Sequence, residues 1–341
     1  MAGNSLPLLH DTTTVPPVRF ALLHFILEFP RPVALPAFVG PYLRGIIGDH
    51  LGQSFCQFPE RREAGCCQEC HCEFATLFRG YHPDAGDNFT SPPFVLKVRT
   101  LNEPRTSLRQ LHFDLLLLGP AFTFASDFCR ALQEGYISSK TNAFTLNSVL
   151  STSRRHPASL YYDGMARQIV GPLHQDEWSL ATLELPPLPT PDAPVAKGDT
   201  LSLHLVTPTR LNVDKNYRDK PFAFKDLVRA LLNRYRQLSA LELLYQGQLD
   251  PARAMFHARH YAPLLDYLDA SAINVHSANL TWHQNESYSV RQQKRFSTGG
   301  LIGQIVYTGH LAPFLPLLQW GELFQVGEKT NYGMGEYQIL E

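Results

Sequence analysis

The sequence predicts an α+β chain of two successive units, each running β-α-β-β-α-β. Stretches rich in β-branched, leucine and aromatic residues alternate with stretches of helical spacing. The same order of elements occurs twice, and a proline-rich segment at 183–198 separates the two occurrences. At 341 residues the chain is longer than one hydrophobic core needs, which fits two domains. With 44% hydrophobic and 18% charged residues its composition is that of an ordinary globular protein. The formal net charge is -1, so no global basic field points to nucleic acid, and any such site must be a local patch.

Residues 1–17 contain Thr12, Thr13, Thr14, Pro16 and Pro17 with little to bury, and are expected to form a loose leader. A strand follows over 18–29, which Pro30 and Pro32 are expected to end. Phe38, Val39, Tyr42, Leu43, Ile46, Ile47, His50 and Leu51 then recur at helical spacing, giving an amphipathic helix to about residue 55. A polar, cysteine-bearing stretch at 56–91 interrupts the pattern. Strands resume at 94–100 and 111–118, a helix at 122–132, and strands at 144–150 and 160–170. The first unit, 18–182, thus has ferredoxin-like (RRM-like) order with a cysteine-bearing insertion. The second, 199–341, reads as strand 200–207, helix 222–244, further helical sequence 250–268, strands 272–282 and 301–307, helix 311–318 and strand 337–340.

No apolar run approaches the roughly 20 residues of a membrane span. The N-terminus lacks the charged start and apolar core of a signal peptide, so the cytoplasm is the simplest location.

Four features carry candidate chemistry. Tyr42 and His50 share a stripe of the first helix, Ile46 lying one turn from each. They offer a phenol and an imidazole, the side chain best suited to moving protons near neutral pH, or else serve as packing residues. The loop 327–336 holds Gly327, Gly333 and Gly335 with Lys329, Asn331 and Tyr332. Its glycines permit left-handed backbone and close approach to a ligand such as a phosphate, or simply make turns. Cys56, Cys66, Cys67, Cys70 and Cys72 crowd one segment. Cys56, Cys66, Cys70 and Cys72 could hold a structural zinc, with His71 and His82 as substitutes, or remain thiols. Cations gather over 201–240, including Arg210, and again at Arg291, Lys294 and Arg295. They suit phosphates, or lie on a solvated helix face and a polar hairpin. No P-loop, nucleophile elbow, zincin motif or carboxylate cluster for a two-metal nuclease is present.

Four ordered blocks resemble the CRISPR-associated endoribonucleases that process precursor CRISPR RNA, within the repeat-associated mysterious protein (RAMP) superfamily. They are 35–50; the cysteine cluster with 74–78 and 92–96; 205–211 with the helix after it; and 299–303 with 314–318, Gly321, Glu322 and the terminal glycine loop. The resemblance implies two ferredoxin-like domains, a bound CRISPR repeat RNA and cleavage without a catalytic metal or other cofactor. The ribose 2′-hydroxyl would be the nucleophile, leaving a 2′,3′-cyclic phosphate and a 5′-hydroxyl. Retention of the product and entry into a CRISPR effector complex are further implications. His50 and Tyr42 take the family's catalytic positions. Arg44, or a cation from 291–295, is expected to face the phosphate, and Arg210, Lys329, Asn331, Tyr332 and the loop glycines to contact RNA. The alternative is a non-catalytic RNA-binding subunit of the same superfamily. A zinc-stabilised protein adaptor without an RNA role is a more distant one.

Overall fold

The computed structural model describes residues 17–56, 72–80, 91–98, 107–178, 200–211, 220–245, 262–270, 273–289 and 294–340. The leader, the proline-rich connector at 183–198, and Cys66, Cys70 and Arg291 lie outside the described residues.

The first unit contains β1 (Val18–Ala34), α1 (Gly40–Phe55), β2 (Phe94–Lys97), β3 (Ser107–Leu118), α2 (Ala125–Ala131), β4 (Glu134–Tyr136) and β5 (Ala143–Thr152). Its strands run β2-β3-β1-β5 with every neighbour antiparallel, the ferredoxin-like order. Beyond β5 the sheet continues into β6 (Ser159–Asp163) and β7 (Gln168–Ile169). Strand β8 (Asp176–Trp178) pairs with the start of β1. The second unit contains β9 (Thr200–Thr209), α3 (Phe224–Tyr245), α4 (Ala262–Ala270), β10 (Asn274–His283), β11 (Glu286–Ser289), β12 (Lys294–Ser297), β13 (Gly300–Thr308), α5 (Leu315–Phe324) and β14 (Tyr337–Leu340). Its main sheet runs β10-β13-β9-β14, the same order again, and β11 and β12 form a separate hairpin.

Local sequence accounts for most of these elements. In α1, Leu43, Ile47 and Leu51 recur every fourth residue and are buried against the sheet. In β9, Leu201, Leu203 and Leu205 alternate inward.

Three expectations are corrected. The prolines do not end β1, which continues to Ala34; instead its pairing with β3 shifts register between Glu28 and Val33. A residue without an N–H interrupts a ladder locally, and pairing resumes where donors return. The single strand expected at 160–170 is two, because Asp163 and Gly164 turn the chain between β6 and β7: the Asp163 carboxylate accepts the backbone N–H groups of Met165 and Ala166 at 2.8 and 3.0 Å. The stretch 56–91 does more than interrupt the pattern. A helical turn at Ala75–Arg79 sets Phe74, Leu77 and Phe78 into the first core. Cys56 and Cys72 are buried in that core too. Among the described residues no group of three or more side chains is arranged to hold a metal ion.

The first sheet is covered on both faces. Leu23, Phe25, Leu27, Phe113 and Leu115 pack in the core that holds the buried residues of α1 and α2. Phe20, Val95, Leu116 and Leu118 join the second unit's core with Leu231, Tyr235, Trp320 and Phe324. Phe20 and Phe324 meet edge to face at 5.4 Å. Polar bonds cross the same boundary: Lys97 Nζ donates to the Glu322 carbonyl at 2.7 Å, and Gln325 Nε2 to the Leu96 carbonyl at 2.8 Å. The two units therefore share a continuous apolar interface.

Phe324→Ala should empty the centre of that interface and cost about 3–5 kcal/mol, the usual range for a buried phenylalanine. Chemical denaturation measures it; a loss under about 1 kcal/mol contradicts a packed interface.

Candidate active site

With its apolar face on the sheet, α1 turns Gly45, Ile46, Asp49, His50 and Gln53 towards a cleft of about 740 Å³. The opposite wall comes from three places. The end of α2 supplies Arg130; β4 and the residue before it supply Gln133, Glu134 and Tyr136; the β6–β7 hairpin supplies Tyr162 and Arg167. Gly135 leaves room for the Phe144 ring of β5, which a Cβ there would meet at 2.9 Å, while Ile46 of α1 would stand at an ordinary 3.7 Å.

The cleft mixes charges. Arg130 pairs with Asp127 at 2.9 Å, one turn back on α2. Arg167 pairs with Glu134 at 3.3 Å, and Gln53 donates to the Asp49 carboxylate at 2.8 Å. Tyr162 donates to Gln133 Oε1 at 3.0 Å, and Gln133 Nε2 donates to the Gly164 carbonyl at 2.8 Å, tying the hairpin to the wall. Burial, reinforced by nearby Cys129, pushes the Tyr162 phenol above its ordinary range, so it stays protonated at neutral pH. The cleft thus brings an imidazole, two guanidinium groups and hydrogen-bond donors to one opening, the set needed to hold a phosphodiester and move a proton.

His50 lines this cleft. Tyr42 lies eight residues earlier on α1, about 12 Å along the axis at 1.5 Å per residue. It is 41% exposed and not part of the cleft wall.

Among the described residues, the other expected RNA contacts are not gathered around His50. The glycine loop packs at the N-terminal end of α1, about 15 Å from His50 by helical rise. Gly40 allows that approach, since a Cβ there would sit 1.9 Å from the Tyr332 carbonyl oxygen. Gly327, Gly333 and Gly335 hold φ of 84°, 86° and 84°, left-handed angles that serve the loop's own turns. The Gly335 N–H donates to the Pro208 carbonyl at 3.1 Å, and its carbonyl accepts the Val326 N–H at 3.0 Å. Asn331 is buried.

Arg44 has an occupation other than the phosphate contact expected of it. Its guanidinium lies between the Phe78 and Tyr332 rings, 4.0 and 4.1 Å from their centroids, and donates to the Phe78 carbonyl at 3.4 Å. Burial lowers its pKa to about 10, still high enough to keep the charge at neutral pH. Arg210 donates to the Gly299 carbonyl at 2.7 Å and to the Ser297 hydroxyl at 3.1 Å, and pairs with Glu328 at 3.7 Å. Lys329 donates to the Ser297 carbonyl at 2.6 Å and lies over Phe296. Arg295 is exposed and pairs with Glu286 at 3.5 Å across the β11–β12 hairpin, where Lys294 begins β12.

Arg130, Gln133, Glu134, Tyr136 and Arg167 were not singled out from the sequence. Only Arg130 and Arg167 carry a local signal. Arg130 is the charged residue facing away from the buried positions Phe128 and Cys129, and Arg167 follows an Asp-Gly turn.

Residues 203–337 match the family model of the CRISPR-associated endoribonuclease Cas6. Residues 18–172 match a second model, described as an N-terminal domain. Among solved structures, a Cas6 product complex is 17% identical, with 94% of this chain and 99% of that one covered and a TM-score of 0.50. Thermus thermophilus Cas6 is also 17% identical, covering 95% of this chain and 99% of its own, with a TM-score of 0.46. A search of curated proteins gives no match.

Arg44→Ala and Tyr332→Ala should each destabilise the chain, and the double variant should cost less than their sum. A coupling of about 1 kcal/mol is expected for a desolvated cation–π contact. Additive losses in a denaturation double-mutant cycle rule the contact out as an energetic link between the units.

Proposed function

We propose that this chain, a CRISPR-associated Cas6-type RAMP protein, cuts CRISPR repeat RNA in the His50 cleft. One observation carries the reading. The helix histidine that the family resemblance singles out opens into a cleft that also holds Arg130 and Arg167.

In the proposed reaction the ribose 2′-hydroxyl gives its proton to the neutral His50 imidazole, and its oxygen attacks the adjacent phosphorus. The P–O2′ bond forms and the P–O5′ bond breaks. The departing 5′-oxygen takes up a proton, from solvent or from a second group, since one imidazole cannot accept and donate at the same moment. The products are a 2′,3′-cyclic phosphate and a 5′-hydroxyl, and His50 then returns its proton to solvent or to the group that protonated the 5′-oxygen, so there is no net change in protons. The nucleophile belongs to the substrate, so no metal is needed to generate one. Charge that grows on the phosphorane oxygens is met by the cleft cations, a contribution that is often large. Tyr42, exposed two turns away on the same stripe, suits contact with an adjoining nucleotide. Retention of the cut RNA and its delivery to a CRISPR effector complex belong to the same proposal.

His50→Ala should lower cleavage of labelled repeat RNA by roughly 10²-fold or more in EDTA, as for a lost acid–base group, while binding persists. Undiminished cutting removes His50 from the mechanism. A band shift without a cut by the unmutated protein selects the non-catalytic RNA-binding subunit instead.

A further inference from the structure

We propose that Arg167 is the residue that grips the scissile phosphate, and that Glu134 holds it in place until RNA displaces the carboxylate. The proposal rests on the His50 cleft being the cleavage site.

Arg167 shares the cleft with His50 but comes from the edge of the sheet, on the turn before β7. Its backbone has φ of 55°, a left-handed angle uncommon for a residue with a side chain. Glycine or asparagine would fit that position with less strain, so nothing in the turn's own geometry calls for arginine. The turn is also firmly held. The Asp163 carboxylate accepts two of its N–H groups, and Gln133 ties Gly164 to the cleft wall. An arginine on an anchored but strained turn is a preset side chain, and preset geometry at a cleft is where such strain is informative.

The ion pair with Glu134 is open to solvent, at 62% and 68% side-chain exposure. Exposed pairs contribute little to stability, about 0.2–1 kcal/mol. A phosphodiester can replace the carboxylate and offer the bidentate geometry that guanidinium favours. Arg130 is the other cation of the cleft, and its pairing with Asp127 lies within one turn of its own helix. Arg167 is thus the cation whose partner is itself a cleft residue, and so the one whose pairing RNA entry must change. Asp49, the remaining carboxylate of the wall, accepts from Gln53 on its own helix.

A purely structural ion pair and a held phosphate ligand predict opposite patterns. If the pair only braced the hairpin, Arg167→Ala and Glu134→Gln would lose the same bond and change activity in the same direction. If Glu134 competes with phosphate, the two variants move apart. The experiment is cleavage of a 5′-labelled RNA carrying the chain's own CRISPR repeat, run as single turnovers at subsaturating and saturating protein. His50→Ala and Arg167→Lys run alongside. Expected is a roughly 10- to 100-fold slower step for Arg167→Ala at saturation, and partial recovery in Arg167→Lys. Glu134→Gln should speed cleavage at subsaturating protein by about two- to fivefold, the size of a lost surface ion pair. An Arg167→Ala rate equal to the unmutated rate, or a slower Glu134→Gln, overturns the proposal. Glu134→Gln leaves the turn sequence intact, so it decides the matter even if Arg167→Ala folds poorly. Full activity in His50→Ala instead defeats the site reading, a result distinct from either.

Discussion

Everything in this molecule depends on covering the first sheet on both faces. At the end of β3, Leu115, Leu116, Leu117 and Leu118 are all buried, a continuous run where an antiparallel strand with one wet face would alternate. One face meets α1 and α2, the other α3 and α5, so the second unit's core is completed by residues of the first sheet. The second unit also reaches round to α1 itself. Its terminal loop touches Gly40 and sandwiches Arg44 against Phe78. The helix that carries His50 is therefore fixed by its own sheet along one side and by the second unit at its N-terminal end.

That arrangement explains why so many cations point inward. A chain with net charge -1 has no surplus of positive groups, and Arg44, Arg210 and Lys329 act as cross-braces. Each has an aromatic ring or a row of carbonyls as partner, because main-chain oxygens at a loop crossing need donors as much as phosphates do. Long side chains with several N–H groups are well suited to that task. Composition cannot tell the two uses apart. The difference lies in what the fold places within 3 Å of the nitrogen.

The order of elements was legible because it is written in local patterns. Aliphatic residues every fourth position in α1 and leucines every second position in β9 declare period and face without help from the rest of the chain. His50 was legible for the same reason, as a polar residue beside that apolar stripe. The opposite wall of its cleft was not. Arg130, Tyr136 and Arg167 sit on three separate elements, and only the antiparallel pairing of β4 and β6 with β5 brings them together. The prolines after β1 misled because their effect depends on the neighbour. The same missing N–H that would end an isolated strand becomes a register shift when β3 lies alongside to resume pairing. The helical turn at 75–79 was hidden by the cysteines around it, though its two phenylalanines and leucine were core residues in plain sight.

The charge balance of the cleft follows from the kind of reaction proposed for it. When the nucleophile is part of the substrate, the protein needs neither a strong base nor a metal-bound hydroxide. It needs a proton acceptor and positive charge that counts more in the transition state than before it. A cleft of bare arginines would bind ground-state RNA and transition state almost alike, which tightens binding without speeding the step. Carboxylates beside the arginines reduce that uniform attraction. As negative charge builds on the phosphorane oxygens, the competition tilts towards phosphate, and the contact strengthens when it matters. A displaceable ion pair in a cleft of a nearly neutral chain would thus select the moment of contact, and Arg167, which lines the same cleft as His50, is the proposed place for that selection.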